Sequence, residues 1–172
     1  MKIRTEQPQD YQDVEQLIKA AFEPVEMSDQ TEHLLVRRLR QSNAYVPELS
    51  LVALSDKDEI IGHIMLSQIT VGSDILSLAL APLSVAPNYQ RKGVGTKLVK
   101  EALEAARQRG YQSVVVLGDP TYYQRFGFEL AMTYHVFGPM KEMEPYLMIK
   151  ELKGNVLKNM SGEVHYSEAF NL

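Results

Sequence analysis

The sequence predicts an α/β fold (α+β by some schemes), with a mixed central sheet of about six or seven strands and helices on both faces. Three observations predict it. Residues 49–85 hold strand-patterned runs joined by short turns, the pattern of an antiparallel meander. Residues 75–117 run strand, helix, strand, a crossover that brings its two strands parallel. Two stretches with helical periodicity stand ahead of the meander and can cover the sheet.

Lys2 to Thr5 alternates as a short first strand, and Pro8, Asp10 and Asp13 are first-turn residues of a helix. Val14, Leu17, Ile18, Ala21 and Phe22 then share one helical face until Pro24 ends the pattern. A second helix is expected from a cap at Ser28 or Asp29. It carries Leu34, Leu35, Val36 and Leu39, with Arg37, Arg38 and Arg40 near the end where cations complement the dipole. Leu49 to Leu54 and Ile60 to Val71 form a hairpin across Asp56-Lys57-Asp58-Glu59, and Gly72-Ser73-Asp74 turns into Ile75 to Val85. This last strand is almost wholly apolar, as a strand buried on both faces must be. Pro82 and Pro87 lack the N–H that a ladder needs, so the strand should bulge near its end and open a slot in the sheet.

Leu98, Val99, Ala102, Leu103 and Ala106 form the buried face of the crossover helix, which Gly110 stops, and Ser113 to Leu117 is a β-branched strand. A short helix is expected at Tyr122 to Phe126, then strands at Phe128 to Met132, His135 to Phe137 and Leu147 to Leu152. The expected organisation is a single domain over residues 1–172. Its core is 1–150, and 151–172 is a C-terminal arm in which Val164, Tyr166 and Phe170 pack on that core.

The chain has 172 residues, 45% of them hydrophobic and 23% charged, and no apolar run approaches the roughly 20 residues that cross a bilayer. Met1-Lys2-Ile3-Arg4 leads into polar residues instead of an apolar leader core, so a cytoplasmic location is expected, with no membrane partner. Without cysteine there is no disulfide, no thiolate metal site and no acyl-cysteine intermediate. A net charge of −4 argues against nucleic acid as a partner. The four histidines have no ligand spacing, so no metal is expected.

The most informative segment is Gln90-Arg91-Lys92-Gly93-Val94-Gly95, between the apolar strand and the crossover helix. Gly93 and Gly95 let the loop curl, and the helix beginning near Thr96 aims its partial positive charge there, so main-chain amides from Arg91 through Thr96 form a nest that suits a diphosphate. Arg91 and Lys92 would meet phosphate oxygens. A dinucleotide fingerprint would need a third glycine where Leu98 stands, and Gly95-Thr96-Lys97 has the wrong order for a Walker loop.

Gln90, Gly93 and Gly95 together resemble the acetyl-CoA signature of the GCN5-related N-acetyltransferase (GNAT) superfamily, Gln/Arg-x-x-Gly-x-Gly/Ala. Tyr123-Gln124-Arg125-Phe126-Gly127-Phe128 is similar to its second feature, a tyrosine four residues before Gly-Phe. Leu80 to Pro87, Leu117 to Pro120 and Tyr122-Tyr123 look most like the branch called YhbS-like. The resemblance implies the GNAT fold with a splayed central strand pair, acetyl-CoA as co-substrate without metal, and direct transfer of acetyl to a primary amine of a small molecule or protein. It further implies that Leu83, Ser84 and Val85 offer backbone to the pantetheine arm, and that Asp119 and Tyr123 join the cofactor-binding set.

Tyr123 is the catalytic candidate. A phenol of pKa about 10 can hydrogen-bond to the leaving sulfur as general acid. The strand from Leu76 to Val85 holds no carboxylate or histidine, which leaves the general base open among Glu26, Asp29, Glu32, His63 and Asp119. His63 also fits a packed core residue, and Asp119 a turn or helix cap. The missing base keeps a second reading in play, a non-catalytic acyl-CoA-binding sensor or interaction module. Exposed sheet edges would suit a homodimer.

Overall fold

The computed structural model describes residues 1–172. In chain order the elements are β1 (Lys2–Thr5), α1 (Tyr11–Phe22), α2 (Glu32–Arg40), β2 (Tyr45–Leu54), β3 (Ile60–Val71), β4 (Ile75–Val85) and α3 (Val94–Gln108). There follow β5 (Ser113–Leu117), α4 (Pro120–Tyr123), β6 (Glu129–Leu130), β7 (Val136–Phe137), β8 (Leu147–Glu151) and β9 (Gly162–His165). The sheet order is β1-β2-β3-β4-β5-β8-β6, and along it only β4 and β5 run parallel.

The sheet has 9 strands instead of the six or seven expected. β6 and β7, at 2 residues each, stand within the runs expected at Phe128 to Met132 and His135 to Phe137, and the strand not expected is β9. That strand pairs with Thr70 and Val71 of β3 and carries β7 on its other side, so the C-terminal arm is built into the sheet.

Alternation along the strands sends side chains to opposite faces. Leu51, Ala53, Ile64 and Leu66 pack with Leu98, Val99, Ala102 and Ala106 of α3. Val52, Leu54 and Met65 pack with Val14 and Ile18 of α1 and Val36 and Leu39 of α2. A further cluster joins Ala79, Val115 and Ile149 to Leu157, Met160 and Val164 of the C-terminal segment.

Several boundaries differ from expectation for local reasons. Thr31, not Ser28 or Asp29, precedes α2, because Gln30 has φ 65 and cannot lie on a helical path. β2 starts at Tyr45, ahead of Leu49, and its register with β3 shifts between Tyr45 and Ser50 around Pro47, a residue that hides a strand pattern. The strand expected at Phe128 to Met132 shrinks to Glu129–Leu130, since Ala131–Tyr134 coils into a 3-10 turn, and His135 falls outside β7 at φ 59.

The functional consequence of the fold lies where β4 and β5 part. Their parallel pairing covers Leu78↔Val114, Ala79↔Val115 and Leu80↔Val116, and then stops. β4 runs on to Val85 paired only with β3. Its register there jumps from Leu66↔Leu80 to Ile64↔Leu83, so Ala81 and Pro82 together stand opposite Met65. This is a bulge at the expected proline, and it leaves the β5-facing backbone edge of Leu83 to Val85 without a strand partner.

Candidate active site

From the end of β4 the chain passes through a 3-10 turn, Pro87–Tyr89, into the loop before α3. The Gln90 side chain donates to the Val85 carbonyl at 3.0 Å and ties the loop to the strand. Arg91 at φ 61 and Gly93 at φ 88 are both left-handed, on either side of Lys92, and curl the loop so that successive N–H groups converge. The N–H groups of Arg91, Lys92, Gly93, Val94, Gly95 and Thr96 find no main-chain acceptor. Arg91, Lys92 and Gly93 are exposed, Gly95 and Thr96 are half-buried and Val94 is buried, so the row reaches the surface on either side of Val94. Behind it stands α3, 15 residues long and free of acidic residues in its first turn. The two glycines serve different needs. Nothing lies within 4 Å of a Cβ built on Gly93, whose requirement is its φ, whereas a Cβ on Gly95 would stand 2.9 Å from the Tyr122 hydroxyl.

Leu83 and Val85 face α3, since their side chains come within 3.9 and 3.6 Å of that same Cβ position on Gly95. Ser84 therefore points to the opposite face, where it is buried and its hydroxyl has no hydrogen-bond partner. Asp119 accepts from the Thr121 amide at 3.0 Å and caps α4, the role open to it from sequence. α4 brings Tyr122 and Tyr123 against the parted strands. The Tyr123 ring lies over Gly118, where a Cβ would stand 2.6 Å from a ring carbon, and meets Phe128 edge-on at 5.7 Å between centroids. Burial, and then the neighbouring Tyr122, raise the Tyr123 pKa well above the usual phenol value.

Arg125 was not singled out in the sequence. Its guanidinium stacks 4.6 Å from the Tyr122 ring centroid and donates to the Thr96 hydroxyl at 3.2 Å, joining the Tyr-rich segment to the first turn of α3. The i, i+3 spacing of Tyr122 and Arg125 is the only sequence signal for that stack.

Most of the candidate bases are tied into local structure. Asp29 accepts from the hydroxyl and amide of Thr31, bonds that hold its carboxyl below the usual range. Glu32 accepts the Ser28 hydroxyl at 2.7 Å. Glu26 is exposed. His63 is sealed under α1 and α2 in a polar cluster that the sequence did not disclose: Arg40 makes a two-pronged pair with Glu6 at 3.2 and 2.6 Å, and Ser50 donates to Glu6 at 3.0 Å. With its proton spent on the carboxylate, the Ser50 oxygen accepts from His63 Nε2 at 3.2 Å, which puts the lone pair on Nδ1, an atom without a partner. Burial, and then Arg40, lower the His63 pKa to about 3, so the ring is neutral near pH 7 and its 3.5 Å approach to Glu6 is no ion pair.

No cluster of His, Asp and Glu is placed to hold a metal ion, and no helix is long and apolar enough to cross a membrane. Residues 11–128 match the profile of the Acetyltransferase (GNAT) family. The chain is 36% identical over 172 residues to the uncharacterised N-acetyltransferase YhbS of Escherichia coli strain K12, covering 99% of both chains. The crystal structure of Escherichia coli YhbS in complex with CoA superposes with a TM-score of 0.91 at 34% identity, over 99% of this chain and 92% of that one. A GNAT family acetyltransferase from Brucella melitensis in complex with acetyl-CoA gives 0.82 at 35% identity, over 98% and 97%. With parted strands, an open row of amides and a full-length match to these proteins, the chain belongs to the acetyltransferase (GNAT) family.

Proposed function

We propose that this acetyl-CoA-dependent N-acetyltransferase binds the diphosphate of its co-substrate on the Arg91 to Thr96 amides and lays the pantetheine arm along the open edge of Leu83 to Val85. The acetyl group passes directly to a primary amine of a small molecule or a protein. The observation that carries this reading is the unspent row of amides at the point where β4 and β5 separate. The complexes of the Escherichia coli and Brucella melitensis relatives with CoA and acetyl-CoA support it. A cytoplasmic location, and a homodimer formed through the free edge of β1, belong to the same reading.

In the transfer, the neutral amine attacks the thioester carbon, a C–N bond forms, the C–S bond breaks with coenzyme A leaving as thiolate, and the proton shed by the acceptor nitrogen passes through solvent, ultimately to that thiolate or to buffer. Tyr123 is the residue we assign to the leaving sulfur. Because its pKa is raised, while a thiol titrates at about 8.5, complete proton transfer to the thiolate is uphill. Its contribution is a hydrogen bond that strengthens as charge builds on sulfur. Asp29, one of the candidate bases, is held below the usual carboxylate range by its bonds from Thr31, which suits it poorly to take a proton near neutrality. The rate should therefore climb with pH as the acceptor ammonium loses its proton, with no alkaline fall from Tyr123 below pH 10.

The test is acetyl-CoA consumption across polyamines, amino acids, aminoglycosides and peptide N-termini, run beside Tyr123→Phe. The variant should turn over about 10- to 100-fold more slowly, the loss of one charge-assisted hydrogen bond, with little change in KM for acetyl-CoA. Unchanged turnover on a verified amine removes Tyr123 from the mechanism.

A further inference from the structure

A groove of about 380 Å³ lies between α3, from Lys100 to Arg107, and the Arg125-Phe126 and Lys150 to Leu152 segments. Leu103, Phe126 and Leu152 give it an apolar floor, and its rim is cationic. Arg107 is neutralised by Glu104, which accepts from it at 2.6 and 2.9 Å. Lys100, Arg125 and Lys150 have no carboxylate within salt-bridge distance, and Glu151 is the one further acid on the rim. Three unneutralised cations around one groove are unexpected in a chain of net charge −4, and they call for an anionic occupant.

The groove and the amide row share α3. Arg125 stands at the junction, with its guanidinium on the Thr96 hydroxyl and over the Tyr122 ring. Lys100 lies one turn further along α3 than Thr96, about 6 Å of helix rise. Lys150 closes the far side, its ammonium 2.7 Å from where a Cβ on Gly127 would be. An anion held by Arg125 and Lys100 would lie beside the first turn of α3, because Arg125 bonds to Thr96 there. Coenzyme A carries such a group, because the ribose attached to its 5′-diphosphate also bears a 3′-phosphate with close to two negative charges at neutral pH.

We propose that this groove is a subsite for the 3′-phosphate of coenzyme A, held by Lys100, Arg125 and Lys150, and that it makes the protein prefer acetyl-CoA over the 3′-dephospho form. The proposal rests on the reading of the Arg91 to Thr96 loop as the diphosphate site. It adds a selectivity that the loop cannot supply, since both forms share the diphosphate. Arg125 serves both ends, and the lysines read only the 3′-phosphate.

The experiment is calorimetry of the full chain with coenzyme A and with 3′-dephospho-coenzyme A, on the unmodified protein and on Lys100→Gln/Lys150→Gln, at low and high salt. The double variant changes side chains that make no ion pair or hydrogen bond within the fold. The expected result is a dephospho form bound about tenfold or more weakly by the unmodified protein, equivalent to about 1.4 kcal/mol. The gap should narrow with salt and nearly close in the double variant, whose affinity for the dephospho form stays unchanged. Equal binding of the two forms by the unmodified protein, or an equal loss of both in the variant, overturns the subsite and leaves the loop reading standing. Failure of both forms to bind overturns the loop reading, and the subsite with it.

Discussion

Two polar regions of this molecule are built from similar residues and arranged in opposite ways. At the N-terminus of α3 the amides from Arg91 to Thr96 donate to no main-chain acceptor, and Arg91, Lys92, Lys100 and Arg125 stand in or near solvent without an acidic partner. Beneath α1 and α2, Arg40 and Glu6 are 6% and 0% exposed in their side chains, and they bond to each other while Ser50 and His63 complete the cluster. Donors left over after folding can be used by a ligand. Donors consumed in folding hold elements together, here the segment after β1, α2, β2 and β3. A histidine and an acid side by side invite a catalytic reading, and in this chain the bonds that tie buried Glu6 to Arg40 and Ser50 speak for architecture.

The sharpest way to break that contrast is Arg40→Met. It leaves Glu6 buried without its cation, a change that typically destabilises by about 3–5 kcal/mol. A second loss comes from the Tyr11 ring, over which the guanidinium sits at 3.9 Å. Urea unfolding should show this drop, whereas coenzyme A affinity of the folded fraction should be unchanged. A variant as stable as the unmodified protein but unable to turn over would move the buried cluster from architecture to catalysis.

A smaller effect is expected from pH. The folded pKa of His63 is depressed from 6.5 to about 3 by burial and by Arg40, so its neutral form contributes stability in full above pH 6.5. That contribution is lost as pH falls through the window between those values, with a slope of up to about 1.4 kcal/mol per pH unit for one proton. The groups facing the ring are Glu6, Arg40 and Ser50. Asp10, lowered from 3.8 by Arg4, adds its own loss only at more acid pH. His63→Gln should therefore flatten the decline in unfolding free energy between pH 6 and pH 4. An identical decline in the variant would assign the acid limb to other groups.

What could be read from sequence follows the same division between local and distant causes. β3 and β5 begin and end where their apolar runs meet Asp- or Gly-containing turns, β4 runs from such a turn to the Pro87 turn, and the bulge sits at Pro82, because these are properties of short segments. The amide row was legible for the same reason: Gln90, Gly93 and Gly95 lie within a few residues of one another. Arg91 was not legible as a left-handed residue, since nothing in an arginine announces φ 61. Glu6 with Arg40, and Thr96 with Arg125, are separated by 34 and 29 residues, and only the folded sheet brings each pair together. β9 escaped notice because its pairing with the end of β3 depends on the path of everything between them.

The smallest predicted effects come from two glycines in the same loop, and their difference tests whether the amide row is shaped by backbone conformation or by crowding. Gly93→Ala places a side chain in open space but on a residue at φ 88, and should destabilise by about 1–2 kcal/mol through strain alone. Relaxation of that strain would turn the amides away from one another and weaken coenzyme A binding. Gly95→Ala has no such strain, because Gly95 lies within α3, where alanine is favoured over glycine by up to about 1 kcal/mol. Its methyl group would instead meet the Tyr122 hydroxyl at 2.9 Å, the end of a side chain that can swing aside and take Arg125 with it. Stability should stay within about 0.5 kcal/mol of the parent, the gain in helix propensity offsetting the shifted tyrosine. Urea unfolding of both variants decides the matter. Equal losses would mean that the left-handed φ of Gly93 costs no more than the crowding at Gly95, and the convergence of amides around Lys92 would then have to be credited to Arg91 alone.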